Sequence, residues 1–343
     1  MKAYRFKSWQ HSGELEDVAV PAPGPGETLI RIGGAGACHS DLHIMHEWTP
    51  EKMPRIQHFR LPFTLGHENA GWIEAGEVGA LAIGMPVVVS PTWSCGTCRS
   101  CGRGATNYCE SGLGMSGGLG RDGGLAEYMV APTRCLVPLR GLEPWEAAPL
   151  SDAGLTSYHA VKRCLSDLTP DTIALVIGVG GLGHLGVAFL RQLSGARIIA
   201  VDRSAEALEL ARELGADLCL ASDESTAARI MEETQGVGAT AVFDFVGIDA
   251  TLAMAARCAR RLGQIVVVGI GGGTLPLSFG AIPNGCTVVC TLGGSTGELG
   301  EVVALAEAGR VRPKIQRFRL HEVNEVYGKL ERREISGRAV LVP

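Results

Sequence analysis

Two groups of residues in this chain are chosen and spaced as metal ligands would be. The first is the run "SCGTCRSCGRGATNYC", which carries Cys95, Cys98, Cys101 and Cys109 at intervals of two, two and seven residues. Four thiolates this close satisfy a tetrahedral zinc and leave no open position, as in a structural site. An iron–sulfur cluster uses similar spacing, but no second cluster motif accompanies this one. The second group comes from "GACHSDLHIMH" and "TLGHENAGWI", which supply Cys38, His39, Ser40, Asp41, His43, His67 and Glu68. Cys38 and His67 each sit in a polar, glycine-flanked turn beside further acid/base residues. A catalytic zinc needs three protein ligands and one open place, and these two residues supply two of them. Cys135, Cys164, Cys219, Cys258, Cys286 and Cys290, like His11, His58 and His321, read as ordinary buried or solvated residues.

A third motif points to a nucleotide. "VIGVGGLGHLG" places Gly178, Gly180 and Gly183 in G-x-G-x-x-G after a strand and at the start of a helix, with Gly181 and Leu182 inside the turn. Glycines there permit the tight turn, the approach of a pyrophosphate and close helix–sheet packing, while the helix N-terminus attracts phosphate. The next strand ends at Asp202, where an acid accepts both ribose hydroxyls and repels a 2'-phosphate, so NAD is favoured over NADP. Arg203 tempers that preference, because a neighbouring guanidinium can hold the phosphate when Asp202 turns away.

A scaffold must hold these motifs in place. A chain of 343 residues is long for one core and implies two domains. Up to about residue 150 the sequence reads as short β-rich segments between Gly/Pro turns. After Leu155 it alternates, with "IALVIGV", "RIIAVD", "DLCLA", "AVFDFVG", "QIVVVGI" and "TVVCTL" as six strands. Helical patterns lie between most of them, such as "SAEALELARELGA" with Ser204 as N-cap and Gly215 as the stop. That alternation predicts a doubly wound parallel sheet. The tail, ending in a helix and the strand "RAVLVP", resembles the first part in composition, so the nucleotide domain is expected to be inserted into a catalytic one.

Bulk properties narrow the class. The formal net charge of −5 gives no basic footprint for nucleic acid or an anionic membrane. The uncharged stretch "TIALVIGVGGLGHLGVAFL" is broken by glycines and by His184, and reads as a strand and a helix, not a membrane span. No apolar leader segment follows "MKAYRFKSWQ", so a cytoplasmic protein with reduced cysteines is expected, which favours metal over disulfide.

Taken together, "GACHSDLH", "GHENAG", the four-cysteine lobe, "GVGGLG" and the closing "GRAVLVP" resemble the zinc-dependent medium-chain alcohol dehydrogenases over essentially the whole chain. The resemblance is to bacterial members with a Cys/His/Asp catalytic zinc. It implies an α/β fold in which a Rossmann domain, 154–291, is inserted into a GroES-like β-rich catalytic domain, 1–153 and 292–343, with a structural zinc lobe at about 93–112. It implies NAD and two zinc ions per subunit. Cys38 and His67 map onto two ligands of the catalytic zinc, and the third lies where "PLSDAGLT" begins, at Asp152. One thiolate, one carboxylate and a neutral imidazole leave Zn²⁺ formally neutral, and the harder oxygen donor makes it a somewhat stronger Lewis acid. The competing role for Asp152 is a cap on the helix starting near Ala153, which Ser151 could also fill.

By the same resemblance, Ser40 accepts the substrate hydroxyl proton and passes it through the cofactor ribose toward His43. Asp41 orients the histidine ligand, and Glu68 approaches the zinc when substrate is absent. His39 and Arg338 reach the cofactor phosphates, and Val246, Val268, Gly269 and Ile270 line the cofactor. Trp48 and Trp93 line the substrate pocket by position. The implied substrate is a small alcohol, secondary by preference, with its ketone or aldehyde. The alternatives are a polyol, sugar or amino-alcohol on the same site, a zinc-free quinone reductase, or a nucleotide-binding protein that does not catalyse. A homo-oligomer, dimer or tetramer, is expected, with neither nucleic acid nor membrane as partner. Two departures stand out. "GMPV" at Gly84–Val87 replaces the usual "GDRV" turn, and the segment between Ser40 and His67 is long and charged, expected to form a lip over the substrate channel or a subunit contact.

Overall fold

The computed structural model describes residues 1–111 and 116–343; Gly112, at the end of the expected cysteine lobe, lies outside them. Two compact units emerge, Met1–Leu155 together with Gly293–Pro343, and Thr156–Leu292.

The first unit is built on strand Glu27–Ala37, whose neighbours decide where the chemistry sits. Strand Glu68–Gly76 pairs with it antiparallel, Gly36 opposite Glu68, and strand Arg338–Val342 pairs on its other side, Ala37 opposite Ala339. The chain therefore leaves one strand at Cys38, enters the next at His67 and enters the third at Arg338, all at one end of the sheet. Gly36 makes this pairing possible: a Cβ there would stand 1.9 Å from the Glu68 carboxylate, which lies across the glycine. Below the sheet end, Tyr4, Phe6, Ile30, Phe63, Leu65 and Met129 form the core of this unit. The edge-on Phe6–Phe63 pair, centroids 5.6 Å apart, adds about 0.5–1.5 kcal/mol beyond the area it buries.

The long segment after Ser40 anchors itself in this core. Ile44, Met45 and Ile56 are buried, while Glu51, Lys52 and Gln57 face outward. Ile44 and Met45 are turned inward by a short helical turn, His43–Glu47, and Ile56 ends a second one, Pro54–Ile56.

The second unit carries six parallel strands in the order Leu218–Ala221, Arg197–Asp202, Ile173–Ile177, Ala239–Asp244, Ala259–Val267, Thr287–Cys290. This is the doubly wound order expected from the alternating pattern. Central strands such as Ala239–Asp244 are buried throughout, which is why they read as unbroken apolar runs. The expected cap is present: Ser204 Oγ accepts from Ala207 N at 3.3 Å, and Gly215 takes φ +98° past the helix end. One strand differs from its sequence reading. It begins at Ala259, before "QIVVVGI", because Ala259 pairs with Ala239 and Arg260–Gly263 loop out before Gln264 resumes the ladder at Ala241. Among the described residues no helix is long and apolar enough to cross a membrane, and the uncharged stretch splits into strand Ile173–Ile177 and helix Gly183–Leu193.

Candidate active site

At the sheet end of the first unit, Cys38, His67, Glu68 and Asp152 offer ligand atoms that all lie within 4.8 Å of one another. Cys38 Sγ is 3.9 Å from Asp152 Oδ2, and His67 Nε2 is 3.5 Å from the same oxygen. Tetrahedral zinc with the usual bond lengths gives ligand–ligand edges of about 3.3–3.6 Å for such donors, so the residues fit the ion. The surroundings also favour a cation. Burial opposes ionisation of Cys38, but the Arg338 guanidinium and His67 outweigh it and hold the thiol below its usual range. Burial disfavours charge on His67 as well, yet Asp41 and Asp152 overcome it and raise its pKa well above the ordinary value.

Each position follows from local structure. Cys38 ends a strand, and its backbone N–H donates to Asp41 Oδ2 at 3.0 Å, closing the turn His39–Leu42. His67 turns Nδ1 to Asp41 Oδ1 at 3.2 Å, which leaves Nε2 facing Asp152. Asp152 precedes helix Ala153–Lys162. Ser151, the other cap candidate, spends its hydroxyl on the Ala148 carbonyl at 2.8 Å. Glu68, a member of the convergent set, is fully buried; one oxygen is bound by Arg338, and the other, Oε2, has no hydrogen-bond partner among the described residues. Burial raises the Glu68 pKa well above the carboxylate range, only partly offset by Arg338. Arg338, expected at cofactor phosphates, is itself buried against Glu68 and the Ala37 carbonyl.

Ser40 Oγ lies 3.6 Å from Cys38 Sγ, beside the candidate ligands. His43 is half-buried, stacked on Trp48 at 5.4 Å, with Nδ1 held 2.6 Å from Glu47 Oε2. Glu47 escapes the sequence reading, although its i,i+4 spacing from His43 is a readable signal. His39 is exposed. Trp93 is half-buried at the edge of the core, with Arg121 over its ring and its indole N–H buried without a partner among the described residues.

The cysteine lobe shows a second convergent set, all four sulfurs within 4.8 Å. Cys95–Cys101 and Cys98–Cys109 are each 3.9 Å apart, close to the edge of about 3.8 Å for zinc with Zn–S near 2.3 Å and far from a disulfide bond. Backbone N–H groups of Thr97 and Cys98 point at Cys95 Sγ, that of Cys95 at Cys109 Sγ, and that of Glu110 at Cys98 Sγ. Hydrogen bonds from Ser111, Thr97 and Cys98 pull the Cys95 thiol down to about 5, the behaviour of a ligand thiolate.

In the second unit the three glycines divide their work as the motif requires. Gly178 adopts φ +86°, a Cβ on Gly183 would lie 1.8 Å from the Gly178 carbonyl, and a Cβ on Gly180 would meet nothing within 4 Å. The open side at Gly180 is where a pyrophosphate can approach. Asp202 caps the turn, Oδ2 accepting from Val179 N at 2.7 Å and Oδ1 from Ser204 N at 2.9 Å. Each oxygen keeps a lone pair for a ribose hydroxyl. Val246 packs against Gly178 and Gly269, and Val268 follows the adjacent strand end, so these residues gather at the carboxyl edge of the sheet; Ile270 and Arg203 are exposed there.

The alcohol dehydrogenase GroES-like domain matches residues 24–141, and the zinc-binding dehydrogenase domain matches residues 181–308. A NAD-dependent alcohol dehydrogenase of Sulfurisphaera tokodaii is 36% identical across 100% of both chains. This chain belongs to the zinc-dependent medium-chain alcohol dehydrogenases. Within that family it is also 36% identical to the D-arabinose 1-dehydrogenase (NADP(+)) of Saccharolobus solfataricus, over 100% of this chain and 97% of the relative. The crystal structure of the alcohol dehydrogenase from Aeropyrum pernix superimposes with a TM-score of 0.93 at 38% identity, covering 100% of each chain. The medium-chain dehydrogenase fold, a GroES-like unit with a Rossmann-type one, is thus the fold of this protein.

Proposed function

We propose that this chain is an NAD-dependent zinc alcohol dehydrogenase that interconverts a small alcohol, secondary by preference, with its ketone or aldehyde. The observation that carries the reading is the convergence of Cys38, His67 and Asp152 beside Ser40. Zinc held there by Cys38 Sγ, His67 Nε2 and Asp152 Oδ2 supplies Lewis acidity that lowers the pKa of an alcohol hydroxyl. NAD bound on the glycine turn supplies the hydride acceptor. The protein's own residues manage the proton. Ser40 Oγ accepts it from the substrate hydroxyl, and His43, its Nδ1 anchored on Glu47, is the group that exchanges it with solvent. Asp41 fixes the His67 tautomer so that Nε2 remains the ligand atom.

Trp48 and Trp93 supply apolar walls, which suit an alkyl or aryl secondary alcohol; the sugar-oxidising relative keeps a polyol or sugar as the second reading. Outside the two candidate metal sites, Cys135, Cys164, Cys219, Cys258, Cys286 and Cys290 are thiols, consistent with a reducing cytoplasm. Self-association into a dimer or tetramer is supported by the edge strand Thr287–Cys290 and by the fully exposed Phe279.

Two measurements test the proposal. Metal analysis is expected to return two zincs per chain, and a panel of primary alcohols, secondary alcohols, ketones and sugars is expected to show cofactor reduction or oxidation, greatest with secondary alcohols. Flat traces with every substrate, or a single zinc, would defeat it. For the cofactor, Asp202→Ser removes the charge that repels a 2'-phosphate. The ratio of kcat/KM for NADP to that for NAD is expected to rise at least about tenfold, the equivalent of about 1.4 kcal/mol. An unchanged ratio would show that Asp202 does not read the ribose.

A further inference from the structure

The carboxylate that orients His67 is itself held from the far end of the chain. Asp41 is completely buried, and both of its oxygens are engaged. Oδ1 faces His67 Nδ1 at 3.2 Å, while Oδ2 accepts from the Cys38 backbone N–H at 3.0 Å and from the Tyr327 hydroxyl at 3.0 Å. Tyr327 lies in helix Val323–Glu331, in the piece of chain that returns to the first unit after residue 292, and is itself buried. Burial, with Asp41 adding to it, pushes the phenol above its ordinary range, so Tyr327 stays a donor.

We infer that Tyr327 is a positioning residue for the metal centre: its hydroxyl fixes the Asp41 carboxylate, Asp41 fixes the His67 ring, and so the returning helix sets how tightly the metal is held. The inference rests on the zinc reading given above. A buried carboxylate depends on its hydrogen-bond donors for both stability and orientation. Of the two donors on Oδ2, the Cys38 amide belongs to the backbone of a ligand residue, and Tyr327 is the one that comes from a side chain. Without the phenol, one donor remains and the carboxylate is free to rotate about its last bond. The His67 Nδ1 contact, already 3.2 Å, then loses its defined acceptor, and Nε2 loses its aim. Partners one step removed from a metal commonly change its affinity by about 10–100-fold; one step further out, the lower figure is expected.

The neighbouring Tyr4 provides an internal control. Its ring packs beside that of Tyr327, centroids 5.8 Å apart, and it is also buried, but its hydroxyl donates to Asn324 at 2.6 Å and not to Asp41. Tyr4→Phe therefore removes a buried hydroxyl from the same aromatic pair without touching Asp41.

The test uses the zinc-loaded holoenzyme and a colorimetric chelator, with release of each zinc followed in time. Tyr327→Phe is expected to release one of the two zincs about tenfold faster, with the other unchanged and Tyr4→Phe like wild type. Excess zinc is expected to restore kcat in Tyr327→Phe, and cobalt exchanged into the centre is expected to show shifted visible bands, neither of which simple loosening of the fold produces. Tyr327→Met, which keeps the bulk and removes the donor, gives the same reading if the phenylalanine variant does not fold. Release at the wild-type rate, acceleration of both zincs together, or an equal effect in Tyr4→Phe would overturn the inference. A wild-type chain that carries only the slowly released zinc defeats the underlying metal reading instead, and the two failures are distinguished before any variant is made.

Discussion

Asp152→Asn is expected to lower kcat/KM by at least about 100-fold and to leave one zinc per chain, whereas Asp152→Cys keeps two zincs and stays within about tenfold of wild type. The lower bound is the upper end of what is lost when a ligand's outer partner is removed; an anionic ligand lost outright costs no less. The pair of substitutions separates the two roles open to this residue. Asn retains the ability to cap helix Ala153–Lys162 and loses the negative charge, while Cys retains an anionic donor and loses the cap. The geometry behind the expectation is the position of Oδ2, 3.5 Å from His67 Nε2 and 3.9 Å from Cys38 Sγ. With Asn, the formal charge of a zinc centre there rises by one, in a site where Cys38 is buried and already neighbours Arg338. Metal analysis and steady-state kinetics on the two variants check it, and full zinc with full activity in the Asn variant would show that Asp152 is only a cap.

The second large effect is on stability. Arg338→Met is expected to destabilise the protein by about 1–3 kcal/mol, because the fully buried Glu68 carboxyl, its pKa already raised by burial, loses the guanidinium that satisfies it. The expected signature is a double-mutant cycle: Glu68→Gln added to Arg338→Met recovers part of the loss, since the amide is neutral at every pH and does not call for a cation. Arg338→Lys recovers less, because a point charge does not reproduce the guanidinium contacts to both Glu68 and the Ala37 carbonyl. Urea unfolding of wild type, Arg338→Met, Glu68→Gln, the double variant and Arg338→Lys measures it; equal midpoints for Arg338→Met and wild type would show that the Arg338–Glu68 contact does not hold the fold.

Much of this protein is legible in the order of its amino acids. The sequence pattern places six strands, and each occurs; the inner ones are the plainest, because strands buried on both faces, such as Ala239–Asp244, must be apolar along their length. The glycine motif is legible because φ +86° at Gly178 and the 1.8 Å approach at Gly183 admit no other residue. Four cysteines within fifteen residues announce their own convergence, since the loop that joins them is too short to hold them apart. The pairing of Glu47 with His43 is equally open to a helical-spacing argument, because both residues lie on one short turn.

Local features are therefore what the amino-acid order dictates: element types, the nucleotide turn, the cysteine lobe, and the residue types able to serve a metal. Which of those residues meet is settled in three dimensions. Cys38 and Asp152 are separated by 114 residues, Asp41 and Tyr327 by 286, and Glu68 and Arg338 by 270. No periodicity spans such distances. Glu68 and Arg338 meet because strand register places Gly36 opposite Glu68 and Ala37 opposite Ala339, while Asp152 is brought in at the start of helix Ala153–Lys162 and Tyr327 on helix Val323–Glu331. Register is fixed by core packing across the whole sheet, a one-residue slip turning every buried side chain outward. That is why the ligand types are written in the sequence while the buried pairs that hold them, Tyr327 on Asp41 and Arg338 on Glu68, are visible only in the fold.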